Sequence, residues 1–474
     1  MRINLPPFVK EIIKKFLENN QEIYIVGGAV RDLMMDKTIH DWDFTTNASP
    51  EIILSLFPDG FYDNNFGTVG IINPVDEKNL PADRQGKTSS VKIPVYEITT
   101  FRKEMGYTDG RHPDKVSWGK TLKEDLIRRD FTINAMALKP IIDDKKNIIN
   151  FELIDPHQGQ KDIKNKLVKA VGNTRERFQE DALRMLRAIR ITTQLGFSIE
   201  EKTFQAIKDN VNLLDKISAE RVRDELLKLL SYPFAADGYL LLRNSGLAEK
   251  ILPEVEKGFG VEQKSPGRHH ILDVGNHSVQ SLKSSKSIDP IVNLAILLHD
   301  VGKPTVARVQ KDGVITFYNH EMISASLAKN IAEKLRLSKI QSERLITLVR
   351  WHQFSVDENQ TDKAIRRFIK NVGKKNIEDM IQLRTADRLG GGARETSWRM
   401  ELFKKKIIEV QKEPFLITDL KINGLDIMKT LKITPGPLIG QLLNQLFEAV
   451  VDKKIKNEKS ALLKHLKQIT KDIK

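Results

Sequence analysis

Between residues 22 and 46 the chain reads EIYIVGGAVRD, a short polar stretch, and then DWDFTT, and this run restricts the fold more than any other. Tyr24, Ile25 and Val26 predict a buried strand. Gly27 and Gly28 permit a tight turn and let backbone N–H groups approach an anion closely. AVRDLMM predicts a helix that carries Arg31 and whose N-terminus favours negative charge. The chain must then return as a second strand. Residues two apart on a strand share a face, so Asp41 and Asp43 project into one site while Trp42 turns into packing. Two carboxylates on a rigid strand, beside a turn suited to polyphosphate, form a donor set for Mg²⁺, a hard cation that keeps waters and substrate phosphates in its shell.

Helix and strand patterns alternate up to about residue 140. A helix precedes Gln21, another runs from about Pro50 to Phe57, and FGTVGIINP and VYEITTF add two strands. The polar, turn-rich DEKNLPADRQGKTSSVK between those strands reads as a hairpin insertion without chemistry. FTINAMAL, after Asp130, reads as an apolar helix-like run. From Arg175 the pattern is helical almost without interruption, with punctuation near Ser231-Tyr232-Pro233, at Lys264-Ser265-Pro266-Gly267 and at Gly390-Gly391-Gly392. The fold class that follows is α+β.

Lys and Arg outnumber Asp and Glu by 77 to 63, a formal charge of +14. Such an excess attracts polyanions and suits a nucleic-acid substrate better than a small neutral metabolite. The absence of cysteine removes disulfides, zinc–thiolate sites and thiol nucleophiles, so hydrolytic chemistry would use oxygen or imidazole ligands. The N-terminal segment is an amphipathic helix after a proline pair, without the apolar core of a signal peptide, and Val292 to Leu298 is too short to cross a bilayer. A cytoplasmic soluble protein is expected, with no membrane association and no obligate protein partner.

GGAVRD, DWDFTTNASP, EDLIRRDFTINAMAL (124–138) and RFQEDALRMLRAIR (177–190) follow one another in order. Together they resemble the signature motifs of the class II tRNA nucleotidyltransferases, the CCA-adding enzymes, and of their poly(A) polymerase relatives. The resemblance implies a polymerase-β-like nucleotidyltransferase head with a mixed β-sheet, an all-helical neck, and a body and tail that hold tRNA. Asp41 and Asp43 would bind Mg²⁺ and act in catalysis. Gly28 and Arg31 would cradle the triphosphate, and Arg129 is the nucleotide contact that the resemblance favours. Glu97, on VYEITTF, would be a third carboxylate only if that strand lies beside DWDFTT; a salt-bridged or exposed strand residue is the alternative.

On a continuous helix Asp181 and Arg184 are i,i+3 neighbours, and Arg187 and Arg190 extend the stripe. A carboxylate accepts from an exocyclic amine and a guanidinium donates to a ring nitrogen or carbonyl. Cytosine and adenine each present an amine beside an acceptor, whereas uracil and guanine present a carbonyl in the amine's place. One Asp–Arg pair can therefore admit CTP and ATP with no nucleic-acid template. The alternative is a helix held by ion pairs. FRKEMGYTDGRHPDKV (101–116) reads as a mobile loop and resembles the family loop associated with switching from C to A addition. It retains Tyr107, Asp109 and Arg111, with His112 where many relatives carry arginine.

His277, His299, Asp300, His320, His352 and Asp387, with LLHDVGKP as their core, resemble the HD superfamily of metal-dependent phosphohydrolases. Imidazoles and carboxylates with open positions suit a second divalent metal, Mn, Ni, Fe or Mg, that activates water against a phosphoester. The tail INGLDIMKTLKITPGPLIGQLLNQLFEAV also resembles the family, and Pro435-Gly436-Pro437 leads a helix N-terminus towards either an RNA phosphate or the body. The expected organisation is a head at 1–140, a neck at 141–233 that recognises the base and RNA, a helical body with the HD domain at 234–392, and a tRNA-binding tail at 393–474. The expected activity is Mg-dependent addition or repair of the 3′ CCA of tRNA from CTP and ATP. The alternatives are A-only addition, poly(A) synthesis, or an HD phosphohydrolase with an RNA-binding head.

Overall fold

The computed structural model describes residues 3–39, 41–63, 67–73, 95–105, 115–119, 121–263, 272–354, 356–411, 417–452 and 454–470. Tyr107, Asp109, Arg111 and the polar insertion after Ile72 lie outside the described residues. The chain divides into two compact units. The first comprises residues 1–256 with 288–290 and 334–337, and the second comprises the remainder. Among the described residues no helix is long and apolar enough to cross a membrane.

The first unit opens with α1 (Pro7–Glu18), which Pro7 starts from its first turn, where a missing N–H costs nothing. Its apolar residues recur at helical spacing, so Val9, Ile12, Ile13 and Phe16 form one buried face. β1 (Ile23–Val26), α2 (Gly28–Met34) and β2 (Asp43–Thr46) follow as the sequence pattern predicts, then α3 (Pro50–Leu56), β3 (Phe61–Asp63), β4 (Thr68–Ile72) and β5 (Val95–Thr100). β6 (Arg102–Met105) and β7 (Lys115–Trp118) pair as a separate ribbon ahead of α4 (Leu122–Ile127), and β8 (Ala137–Ile142) and β9 (Ile148–Ile154) complete the sheet. Its order is β3-β4-β5-β2-β1-β8-β9. Only β2 and β5 run parallel; the other neighbours are antiparallel.

Strand alternation sorts the side chains. Ile23, Ile25, Phe44, Tyr96 and Ile98 join Trp42 and the buried face of α1 in one core, so Trp42 packs as expected. Tyr24 and Val26 pack on the opposite face with Leu122 and Leu126 of α4. On that opposite face Val26, Asp43 and Glu97 stand abreast across three strands.

FTINAMAL is not helical: Thr132–Asn134 make one 3₁₀ turn, after which the chain extends into β8. Its apolar residues are buried because both faces of the sheet's centre are covered, and an apolar run of this length does not separate buried strand from buried helix. The sheet thus reaches Ile154, beyond residue 140. The rest of the unit is helical: α5 (Gly159–Lys164), α6 (Thr174–Glu180), α7 (Leu183–Leu195), α8 (Glu201–Asn210), α9 (Ala219–Leu230), α10 (Ala235–Ser245) and short turns of helix, with one two-stranded ribbon joining 167–168 to 198–199.

The second unit is built from helices, including Val274–Lys283, Pro290–Leu298, His320–Lys334, Lys339–Trp351 and Ile377–Gly390, with one small ribbon at 308–309 and 315–316. Pro290–Leu298 is apolar on every side and is buried from Ile291 to Leu298. At Gly390 a methyl group would fall 2.1 Å from Ser281 Oγ, so glycine permits the close crossing of two of these helices. Near the C-terminus, helices Gly424–Leu431, Pro437–Val451 and Lys459–Ile469 enclose a small core of their own around Leu442, Leu446 and Leu466.

Candidate active site

Asp43 and Glu97 are parallel register partners on one sheet face, so the strand pairing required for a third carboxylate is present. Burial pushes the Asp43 carboxyl up to about 6; Glu97 adds to the rise and Arg129 opposes it. Asp41, exposed just ahead of β2, also raises it. Gly27 adopts the left-handed region at φ +70°, and a methyl group there would stand 3.1 Å from Asp43 Oδ2 and 3.3 Å from the Arg129 guanidinium. The glycine pair therefore serves the close approach of a carboxylate, an arginine and the β1–α2 turn.

A polar cleft of about 430 Å³ opens over this face, and Asp43, Glu97, Arg129, Asp181, Arg184 and Arg187 line it. Asp43, Glu97 and three of the predicted neck residues thus share one cavity, whereas Asp41, which precedes β2 and so is not set by its alternation, does not line it. Its cations are positioned by buried acids. The Asp125 carboxylate is fully buried and accepts from Arg128 at 2.6 Å and from Arg129 at 3.0 Å. Burial alone would raise its pKa, but the two guanidiniums hold it below the usual carboxylate range. Asp130 accepts from Arg187 at 2.6 and 2.8 Å and from Asn134 at 3.2 Å. Those contacts outweigh its burial and hold its pKa at about 2.

The continuous Asp181–Arg187–Arg190 stripe is not formed. Asp181 interrupts the helix in an extended conformation (φ −144°, ψ 103°) between α6 and α7. Its carboxylate pairs with Arg221 at 2.7 and 3.2 Å, while Arg184 pairs with Glu180 at 2.7 Å and donates to the Arg128 carbonyl. The local reason is that Asp181 Oδ1 accepts from Leu183 N, a side-chain-to-backbone bond that competes with helix and starts a new one. Arg190 is bound to Glu225 at 2.6 Å and does not line the cleft. Arg31 is buried, with its guanidinium held by Asp32 and Asn134; neither it nor Gly28 lines the cleft.

Asp125, Glu180, Arg221 and Glu225 were not among the sequence candidates. For two of them a signal was present: Asp125 lies three and four residues before Arg128 and Arg129, and Glu180 lies four before Arg184. Arg221 and Glu225 lie on α9, remote in sequence from their partners, and carry no such signal.

In the second unit His277, His299 and Asp300 bring ligand atoms together, as do Asp300, His320 and His352. Asp387 joins them through His277 Nε2 at 3.0 Å. His299, His320 and His352 each turn Nδ1 to a backbone carbonyl three residues earlier, at 2.6, 2.8 and 2.7 Å. With Nδ1 donating, Nε2 of each ring faces the cluster as an acceptor, the arrangement that prepares imidazole for a metal. Nε2 of His320 and His352 lie 3.3 Å apart, and His299 Nε2 is buried 3.2 Å from Asp300 Oδ2. Burial would depress the His299 pKa, but the Asp300 carboxylate carries it up to about 10. Asp300 is itself held well below the usual range by His299 and by Lys303, whose Nζ is 2.6 Å away. A cluster of lone pairs that acquires a proton and a lysine for balance fits a divalent cation.

Gly436, ahead of helix Pro437–Val451, is extended, and a methyl group there would meet nothing within 4 Å.

Residues 23–169 match the Poly A polymerase head domain family, 196–259 match the family described as a probable RNA and SrmB-binding site of polymerase A, and 323–466 match a putative tRNA nucleotidyltransferase domain 2. The chain is 30% identical to a CCA-adding enzyme of Pediococcus pentosaceus over 98% of both chains. It is 32% identical to a CCA-adding enzyme of Limosilactobacillus reuteri over the full length of both. Among solved structures it resembles the Bacillus stearothermophilus CCA-adding enzyme in complex with CTP, with a TM-score of 0.68 and 26% identity over 99% of each chain.

Proposed function

The chain belongs to the family of CCA-adding enzymes, and from that premise we propose that the cleft over Asp43 and Glu97 is its nucleotidyl-transfer site. The reaction is template-independent addition of CCA to the 3′ end of tRNA from CTP and ATP, with release of pyrophosphate. The observation that carries the assignment is the single cavity in which paired carboxylates face arginines from α4's C-terminal end and from the neck.

Nucleotidyltransferases of this family use a divalent metal, and the donor set here suits Mg²⁺: hard oxygens, in surplus, on adjacent strands. Asp41 and Asp43 would hold it, with Glu97 beside them. When bound it would lower the pKa of the attacking RNA 3′-hydroxyl and neutralise charge on the phosphates. The chain's own residues position the reactants, which is most of what the protein contributes to this chemistry. Arg129, oriented by Asp125 and abutting Gly27, presents its guanidinium to the nucleotide. Arg187 is fixed by Asp130 at the neck side of the same cleft.

Base selection falls to Asp181 and Arg184. An ionised carboxylate has about four acceptor positions, so Asp181 can accept a base amine while Arg221 fixes its plane. Arg184 retains donors on Nε and Nη2 beyond those given to Glu180 and to the Arg177 and Arg128 carbonyls. The pair reads as a preset acceptor and donor, each oriented by a neighbour.

The test is incorporation on tRNA ending before CCA, before CA and before A. CTP and ATP should restore the full terminus on each and then stop; continued A addition past the terminal position would establish poly(A) synthesis instead.

A second reading concerns the histidine cluster. Its inward-facing Nε2 atoms, gathered around the Asp300 carboxylate, support an HD-type centre in which His277, His299, Asp300, His320, His352 and Asp387 hold Mn, Ni, Fe or Mg. Such a centre would hydrolyse phosphoesters, with water as nucleophile. Metal analysis of the purified protein decides it: bound metal in the wild type should be lost in Asp300→Ala, and a metal content unaffected by that change would refute the centre.

A further inference from the structure

Beside the histidine cluster lies a second cavity, of about 680 Å³, whose lining includes Gln353, Phe354, Arg384, Arg388, Trp398 and Arg399. Nothing in the nucleotidyl-transfer chemistry uses it. Its floor is rigid: Phe354 packs 4.7 Å from Phe368 and 5.4 Å from Phe403, nearly parallel to the latter. Trp398, the first residue of helix Trp398–Gln411, is 63% exposed. An exposed indole at the mouth of a cavity offers a ring face on which a planar ligand can stack.

The cations of this cavity are also unusual. Arg384 and Arg388 are one helical turn apart on Ile377–Gly390. Arg384 gives one donor to Asp387 Oδ2 at 2.8 Å and Arg388 gives one to the Arg394 carbonyl at 3.4 Å, and Nε of both is buried with no hydrogen-bond partner. Both guanidiniums line the cavity and keep terminal N–H donors beyond these bonds, and guanidinium donors side by side match the oxygens of a phosphate. Arg399 is neutralised by Glu358 at 2.6 Å and lies over the Trp398 ring, 5.2 Å from its centroid. The cavity therefore combines aromatic surface at floor and mouth with two under-satisfied guanidiniums.

We propose that this cavity binds a nucleotide, its base against Trp398 and Phe354 and its phosphate on Arg384 and Arg388. Aromatic faces accept any base by stacking, and the arginines supply the anion site. The ligand is either a free mononucleotide or the terminal nucleotide of an RNA. Because Arg384 also grips Asp387, and Gln353 follows His352 in sequence, the cavity would present its nucleotide to the metal centre; that extension rests on the second reading above, whereas binding does not.

The test is equilibrium dialysis of the full chain against labelled AMP in the presence of EDTA, which keeps the result independent of the metal reading. Trp398→Leu and Arg388→Ala should each weaken one class of site about tenfold or more, while Arg184→Ala, in the nucleotidyl-transfer cleft, leaves that class intact. Trp398 is exposed, so its variant should fold, and unchanged melting and CCA incorporation would verify this. Displacement of AMP by a short oligoribonucleotide identifies an RNA terminus as the source, and failure to displace it identifies a mononucleotide. AMP binding that is identical in wild type, Trp398→Leu and Arg388→Ala would overturn the proposal.

Discussion

The cleft over Asp43 and the histidine cluster around Asp300 are both carboxylate sites suited to divalent cations, yet their electrostatics run in opposite directions. In the cleft, burial and the neighbouring Glu97 and Asp41 push Asp43 up to about 6. In the cluster, His299 and Lys303 hold Asp300 well below the ordinary range despite complete burial. In the first site the acids Asp43, Glu97 and Asp41 crowd one another, while the arginines across the cleft are held by other acids. The second has neutralised itself with imidazole and lysine. A site that must receive metal together with a polyanionic substrate keeps its metal-binding carboxylates apart from its arginines, whereas a centre that keeps its ligands packed can balance them internally.

The sharpest way to break this comparison is to disable each site alone. Asp43→Ala should lower nucleotide incorporation by about 10³-fold or more, since a metal's charge stabilisation is worth several kcal/mol, and should leave the metal content of the histidine cluster unchanged. His299→Ala should do the reverse. Loss of incorporation in His299→Ala would mean that the two sites are not independent.

Asp125→Ala tests whether the cleft's arginines depend on their buried acid. Removing one partner of a buried ion pair strands the others, a cost of about 3 kcal/mol, measurable as a shift of the denaturant midpoint. Arg128 and Arg129 are 16% and 18% exposed, so water offers them little compensation. An unchanged midpoint would show that both guanidiniums find other partners.

These contrasts also explain what the sequence disclosed. The strand–glycine–helix–strand run was legible because each of its residues acts through near neighbours: alternation on β2 sends Trp42 to the core and Asp43 to the cleft. The six histidine-cluster residues were legible as types, because few side chains serve as metal ligands. The neck was misread as one helix because Asp181 is a good i,i+3 partner for Arg184 on paper, while the bond it makes to Leu183 N breaks the helix. Its actual partner, Arg221, comes from α9, 40 residues on, and no local pattern reports such a contact. FTINAMAL failed for a related reason: burial on both faces of a sheet removes the period that distinguishes strand from helix.

Glu97→Gln gives a smaller and more discriminating effect. The change keeps the shape but removes one carboxylate, and the concentration of Mg²⁺ needed for half-maximal incorporation should rise about tenfold, as for residues that support a metal's ligands. With Glu97 gone, Asp43 also loses a source of repulsion. An unaltered Mg²⁺ requirement would reduce Glu97 to a bystander on β5.

The smallest effect expected is the acid sensitivity of the Asp130–Arg187 pair, which joins the head to the neck inside the first unit. Asp130 has its pKa depressed from 3.8 to about 2 in the folded chain. The stability it contributes is therefore fully present above 3.8 and is lost as pH falls from there towards 2. The full shift would correspond to about 2 kcal/mol; Arg187 is 36% exposed, so screening by solvent reduces the expected contribution to about 1 kcal/mol. Urea midpoints of wild type and Asp130→Asn, followed from pH 5 down to pH 3, should converge as the wild type's carboxylate protonates. Parallel curves would mean that Arg187 is held by contacts other than Asp130.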